Sequence, residues 1–210
     1  EQDYACTIPD EIPFDKVAPL LCAGITLYSP LKRWGAGPGK KVAIAGMGGL
    51  GHVGVQIASK MGAEVSVISQ TMSKKDDGLR FGATHYFAMN DPASLKPLRG
   101  TLDLIVSTVA SVTDLDALLR LLKPGGVLVD VGLPEHASSI RLSSLTGGNK
   151  VLAGSQIGGI AETQEMLNFC AEHGVVPQVE IITGEDITAA YDRVVNSQVR
   201  YRYVIDTSTF

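Results

Sequence analysis

Residues 42–54 read VAIAGMGGLGHVG, an apolar strand that runs through five glycines into the start of a helix. Glycine loses more backbone entropy on folding than any other residue, so such a run is justified only where the main chain must approach something closely. Gly46-x-Gly48-x-x-Gly51 has the spacing of the dinucleotide fingerprint. The first glycine makes the tight turn, the second lets the backbone reach a diphosphate, and the third lets helix and strand close on each other. Gly49 and Leu50 complete the turn. A phosphate would rest at the helix N-terminus, where unpaired N–H groups and the helix dipole favour negative charge. The fingerprint alone is weak, because it also occurs in methyltransferases and by chance, so its surroundings decide.

Those surroundings are a series of strands and helices. Leu50, Val53, Ile57, Ala58 and Met61 recur at helical spacing and stop at Gly62. Glu64–Ser69 reads as a strand, Lys74–Phe81 as a short helix closed by Gly82, Tyr86–Phe87 as a brief strand and Leu102–Thr108 as a clear one. Leu115, Leu118, Leu119 and Leu122 form a helical stripe that Pro124-Gly125-Gly126 ends, followed by strands at Val127–Val131 and Val151–Ser155. That stripe is core and not a zipper, because it covers only two turns. Near-continuous apolar strands alternating with helices require a parallel sheet covered on both faces, a doubly wound α/β fold. Upstream, residues 1–13 read as a short strand and a Pro-punctuated loop, with helices at Phe14–Cys22 and Ile25–Trp34 separated at Gly24. Downstream of Gly159 the pattern changes to a helix over Ala161–Glu172, a strand at Val179–Ile182, a helix at Ile187–Val195 and a last strand at Tyr201–Asp206. A soft domain boundary falls near residue 160.

Composition narrows the class. The chain has 210 residues, 45% hydrophobic and 19% charged, which is ordinary for a globular protein. The net charge of −4, without a basic stripe, argues against nucleic acid as the partner. No apolar run approaches membrane-spanning length and no leader is visible. Cys6, Cys22 and Cys170 are odd in number and widely spaced, which fits no disulfide framework. A reducing cytoplasm is the simplest compartment.

The end of the second strand selects the dinucleotide. An NAD site commonly places Asp or Glu there to take the ribose hydroxyls. This chain has Val67-Ile-Ser-Gln-Thr-Met-Ser-Lys-Lys75 and no acid at that point. Hydroxyls at Ser69 and Thr71 donate to an adenosine 2′-phosphate and the cations at Lys74 and Lys75 neutralise it, so NADP(H) is favoured over NAD(H). The alternative is a solvated first helical turn.

Four segments resemble the zinc-dependent medium-chain alcohol dehydrogenases, in particular their cinnamyl alcohol dehydrogenase group. They are PLLCAGITLYSP at residues 19–30, GMGGLGH at 46–52, GGNKVLAGSQIG at 147–158 and VRYRYVID at 199–206. The resemblance implies an NADP(H)-dependent hydride exchange between nicotinamide and a primary alcohol or aldehyde whose oxygen is polarised by zinc. It implies that Cys22 is a ligand of that catalytic zinc and that Thr26 stands beside the nicotinamide. Without the family, Cys22 among Leu20, Leu21 and Ala23 reads as a small buried hydrophobe. The resemblance also implies that Thr108 and Val109, Val131, Gly132 and Leu133, and Ser155, Gln156 and Ile157 line the nicotinamide ribose and ring. Arg202 would reach the diphosphate; read alone it is an exposed strand arginine. The Lys150–Ile157 edge strand would join two sheets in a homodimer.

The chain departs from the family in its zinc ligands. His52, His85, His136 and His173 do not stand in Gly-His-Glu, and no run of closely spaced cysteines is present. His52 reads as a helix-start residue near the phosphates, the other histidines as surface or loop positions, and Cys6 and Cys170 as structural thiols. The expected organisation is therefore the end of a catalytic domain over 1–21, a Rossmann domain over 22–160, and over 161–210 a return segment of an incomplete GroES-like substrate domain. Such a chain would bind cofactor and not turn over alcohols by itself. Two other readings are a zinc-free quinone-type reductase, which has no use for the Cys22 thiolate, and a stand-alone nucleotide-binding module.

Overall fold

The structure is a computed structural model and describes every residue except Glu1 and Val112. Its strands are β1 (Lys41–Ala45), β2 (Glu64–Ser69), β3 (His85–Ala88), β4 (Leu102–Ser107), β5 (Leu122–Asp130), β6 (Val151–Gly154), β7 (Val179–Ile182) and β8 (Arg202–Ile205). The helices are α1 (Val17–Pro19), α2 (Ile25–Arg33), α3 (Gly51–Lys60), α4 (Lys75–Arg80), α5 (Leu115–Leu119), α6 (Leu142–Thr146), α7 (Ile160–His173) and α8 (Ile187–Val195). Six parallel strands pair in the order β3-β2-β1-β4-β5-β6. The strand order reverses between β1 and β4, and at such a switch point a doubly wound sheet opens a crevice beyond its carboxyl ends.

Register explains why these strands are apolar almost throughout. Val42 lies beside Val65 and Leu104, and Ala43 beside Ser66 and Ile105. Alternate residues point to opposite faces. Val42, Ile44, Val65, Val67, Leu104 and Val106 belong to one buried cluster, while Ala43, Ala45, Ile68, Ile105 and Leu128 belong to another. The first is covered from α2, α3 and α7 by Leu27, Leu31, Val53, Ile57 and Leu167. The second is covered from α5 by Leu115, Leu118 and Leu119. Each fully buried branched side chain contributes about 1.5–3 kcal/mol relative to exposure. No helix among the described residues is long and apolar enough to cross a membrane.

Three elements differ from the sequence expectation. Residues 5–13 form no strand, and Gln2–Tyr4 is a single 3-10 turn; Glu1 lies outside the described residues. The Thr7 N–H donates to Gln164 Oε1 at 2.7 Å and the Thr7 carbonyl accepts from Gln164 Nε2 at 2.9 Å. A side-chain amide on α7 thus satisfies backbone groups that a neighbouring strand would otherwise take. The chain is also helical without a break from Phe14 to Arg33, passing through a π turn at Leu20–Gly24. Gly24 is a contact residue there and not a breaker, since a Cβ would stand 2.8 Å from Met166 Sδ on α7. Finally, Leu122 leaves the helical stripe and opens β5 opposite Leu102. All four leucines of the stripe remain buried in one cluster, as core residues.

Beyond α7, which ends at Gly174 in the left-handed conformation (φ 65°), β7 and β8 pair in parallel in a separate two-stranded sheet. Ile181, Tyr191, Val194 and Val195 on β7 and α8 are exposed.

Candidate functional site

The glycine-rich turn follows directly from the end of β1. Gly46 has φ 101°, a conformation that L side chains rarely adopt, and its N–H donates to the Ile68 carbonyl at 2.8 Å. A Cβ on Gly51 would fall inside the van der Waals envelope of the Gly46 carbonyl, so α3 can begin this close to β1 only with glycine there. At Gly48, by contrast, a Cβ would meet nothing within 4 Å. The turn is sealed towards the sheet and open towards the crevice, which is the shape a bound diphosphate requires.

At the end of β2, Thr71 accepts from the Ser73 N–H at 3.3 Å, and the two hydroxyl oxygens lie 2.9 Å apart. Lys74 crosses to the glycine turn, its Nζ donating to the Met47 carbonyl at 2.9 Å. Burial, reinforced by the charge of Arg200, lowers the Lys74 pKa from its ordinary value. The attraction of an anion placed in this crevice would oppose that shift.

These parts enclose a cleft of about 570 Å³ lined by Gly46, Gly48, Gly49, Leu50, Ser69, Thr71, Lys74, Thr108 and Val109, all nine expected from the sequence. Gly51 lies beneath it, and Arg202 flanks it with Nε donating to the Gly49 carbonyl at 3.1 Å. The lining also includes Gln70, Ser73, Ser111, Thr113, Asp114 and Arg200, which the sequence reading did not single out. Ser73 and Gln70 sit inside the second-strand segment and could have been read from it. Arg200 comes from the remote end of the chain, and only folding brings it to Lys74.

The remaining candidates lie outside this cleft. Gly132 follows β5 and packs so tightly that a Cβ would collide with the Val109 carbonyl; Val131 is beside it, and Leu133 is 84% exposed. Ser155, Gln156 and Ile157 follow the edge strand β6. Both loops stand at carboxyl ends of strands. Thr26 is buried on α2.

Cys22 is exposed in the π turn, contrary to the buried-hydrophobe alternative. Among the described residues no group of three or more His, Cys, Asp or Glu side chains could hold a metal ion. A protein zinc site needs three or four such ligands, so the residues here do not fit a catalytic zinc. Cys170 is buried beside Met166, and burial pushes its thiol pKa up to about 12, as befits a structural thiol.

His52 is fully buried behind the turn. Burial, followed by the nearby charges of Arg202 and Lys74, brings its pKa down to about 4 against hydrogen bonding to Gly48. It is neutral at physiological pH.

Strand order and helix placement define a Rossmann-like α/β domain of the doubly wound class. Residues 49–172 match the zinc-binding dehydrogenase family model, and the chain belongs to that family. It is 56% identical over 209 residues to NADP-dependent alcohol dehydrogenase C 1 of Mycolicibacterium smegmatis, covering 100% of this chain and 60% of that protein. Among solved structures it resembles a cinnamyl alcohol dehydrogenase (SbCAD4) of Sorghum bicolor, with TM-score 0.97 and 39% identity over 99% of this chain and 60% of that one. It also resembles CAD from Helicobacter pylori complexed with NADP(H), with TM-score 0.90 and 43% identity over 99% of this chain and 59% of that one. The chain thus spans about 60% of the length of these relatives.

Proposed function

We propose that this chain is the cofactor-binding part of an NADP(H)-dependent alcohol dehydrogenase or aldehyde reductase of the cinnamyl alcohol dehydrogenase type. The observation that carries the reading is the end of β2, where Ser69, Thr71, Ser73, Lys74 and Arg200 line one cleft with the glycine turn. Three hydroxyls and two cations at the ribose position suit a 2′-phosphate, which an acid would repel. Gly46, Gly48, Gly49, Leu50 and Gly51 would hold the diphosphate, with Arg202 at its side. Thr26, Thr108, Val109, the Val131–Leu133 loop and the Ser155–Ile157 loop would face the nicotinamide half. When bound, NADP(H) supplies a hydride acceptor or donor for a small alcohol or aldehyde. Cys22 would be one zinc ligand by family likeness alone.

In this reading the chain divides into the end of a catalytic domain (1–21), the Rossmann domain (22–160) and a return segment (161–210). The edge position of β6 supports a homodimer joined through Lys150–Ile157, and three free cysteines support a cytoplasmic setting. Relatives that are alcohol dehydrogenases do not favour the quinone-type reductase or the stand-alone module. Fluorescence titration tests the assignment. NADPH should bind more tightly than NADH, and equal affinities would remove it.

A further inference from the structure

Three successive carbonyls of the glycine turn are each held by a side chain from a different element. Lys74 Nζ donates to Met47 O, His52 lies on Gly48 O, and Arg202 Nε donates to Gly49 O. Lys74 and Arg202 are only half-buried and charged, free to turn towards a phosphate. His52 differs, being wholly enclosed. Its backbone N–H donates to Gly48 O at 3.1 Å and its Nδ1 stands 3.1 Å from the same oxygen. Its Nε2 accepts the Gln178 N–H at 3.1 Å, just before β7. An accepting Nε2 places the proton on Nδ1, so one neutral imidazole serves two segments at once. The ring stacks on Tyr201 at 4.8 Å between centroids, and the Tyr201 hydroxyl donates to Asp77 Oδ2 at 2.5 Å.

We infer that His52 is a positioning residue for the cofactor diphosphate, a role that rests on the NADP(H) reading of the cleft. In a trans peptide unit the C=O and N–H point in opposite directions. Two donors on Gly48 O therefore fix the direction of the Gly49 N–H, on the side where Gly48 and Gly49 line the cleft. Flanked by glycines, this unit has little steric resistance to flipping, and the imidazole adds a second restraint to that of the His52 backbone N–H. A donor already aimed at the anion spares the ordering that binding would otherwise require.

The two ring nitrogens can be separated by substitution. His52→Asn keeps a donor near the Nδ1 position and gives up Nε2, whereas His52→Gln keeps an acceptor near Nε2 and gives up Nδ1. We expect His52→Gln to weaken NADPH and NADH binding alike by about tenfold, the scale of one lost directional hydrogen bond, because the diphosphate is common to both. His52→Asn should stay within about threefold of the parent although both variants lose thermal stability. Equal losses in the two variants, losses that track melting temperature, or a changed NADPH-to-NADH ratio would overturn the role. In the unmodified protein, nitrogen NMR should show the Nδ1–H tautomer of His52 and a Gly49 amide that shifts on adding NADPH. An Nε2–H tautomer or an unmoved Gly49 amide would overturn it without any variant. Failure of the unmodified protein to bind either cofactor would instead remove the NADP(H) reading, and the positioning role with it.

Discussion

The glycine turn and the Cys22 turn are both irregular entries into helices, yet one is furnished and the other is bare. Around Gly46–Gly51 the carbonyls have side-chain partners, the inner face is sterically closed and the outer face opens on a lined cleft. Around Cys22 a thiol stands exposed, and among the described residues no ligand set gathers near it. The difference teaches where each site is encoded. A diphosphate site is built mainly within one βαβ unit, so its parts arrive together when that unit folds. A metal site takes ligands from separate segments and exists only where all of them are present.

Substitutions can break this contrast, and the largest effect should come from Gly51→Ala. A Cβ there collides with backbone that has no room to retreat, so we expect a loss of roughly 4 kcal/mol or more, together with loss of cofactor binding. Chemical denaturation with NADPH titration checks it, and a stable, binding variant would show that the turn is looser than described. Next is the response to acid. The His52 pKa falls from an ordinary 6.5 to about 4 in the native state, so the unfolded chain takes up a proton that the folded chain refuses. This contribution is complete above the unfolded value and is lost as pH falls towards 4, by roughly 3 kcal/mol. Melting temperatures at neutral pH and near pH 4.5 should therefore diverge less in His52→Asn than in the parent.

A smaller effect concerns selectivity. Ser69→Asp puts a negative charge at the position proposed for the 2′-phosphate and should shift the NADPH-to-NADH preference by roughly 2 kcal/mol, about thirtyfold. The two titrations measure it, and an unchanged ratio would place the ribose elsewhere. The smallest effect belongs to the bare turn. Cys22→Ser should change stability by about 0.5 kcal/mol or less, as exposed positions do. Elemental analysis should find no stoichiometric zinc in this chain before or after that change. One zinc per chain in the parent, lost in the variant, would show that Cys22 has ligand partners after all.

Much of the Rossmann layer was legible because its signals are local. The strand Glu64–Ser69 forms at the bounds that its apolar run and punctuation gave it, and the turn glycines stand where their spacing required. The short strand expected within residues 1–13 is not formed by the described residues, because an extended stretch has no fixed partner and Gln164 on α7 takes the place of a strand, whereas the expected loop is there. Gly24 was misread because a glycine between two apolar helical runs looks the same whether it breaks a helix or admits another one against it.

The sequence by itself determined the doubly wound class, the glycine turn after β1 and the hydroxyl and lysine pattern at the end of β2. Each depends on residues within a turn or two of one another, where backbone geometry fixes who meets whom. Only the tertiary structure decided that Arg200 faces Lys74, that Tyr201 lies on His52 and that the Gln178 N–H selects the imidazole tautomer. Those contacts join segments more than a hundred residues apart, and no local period carries them. They follow from the burial of Met166, Leu167, Cys170, Val175 and Tyr201 in the core that covers one face of the sheet, which brings the end of the chain to the carbonyls of the glycine turn.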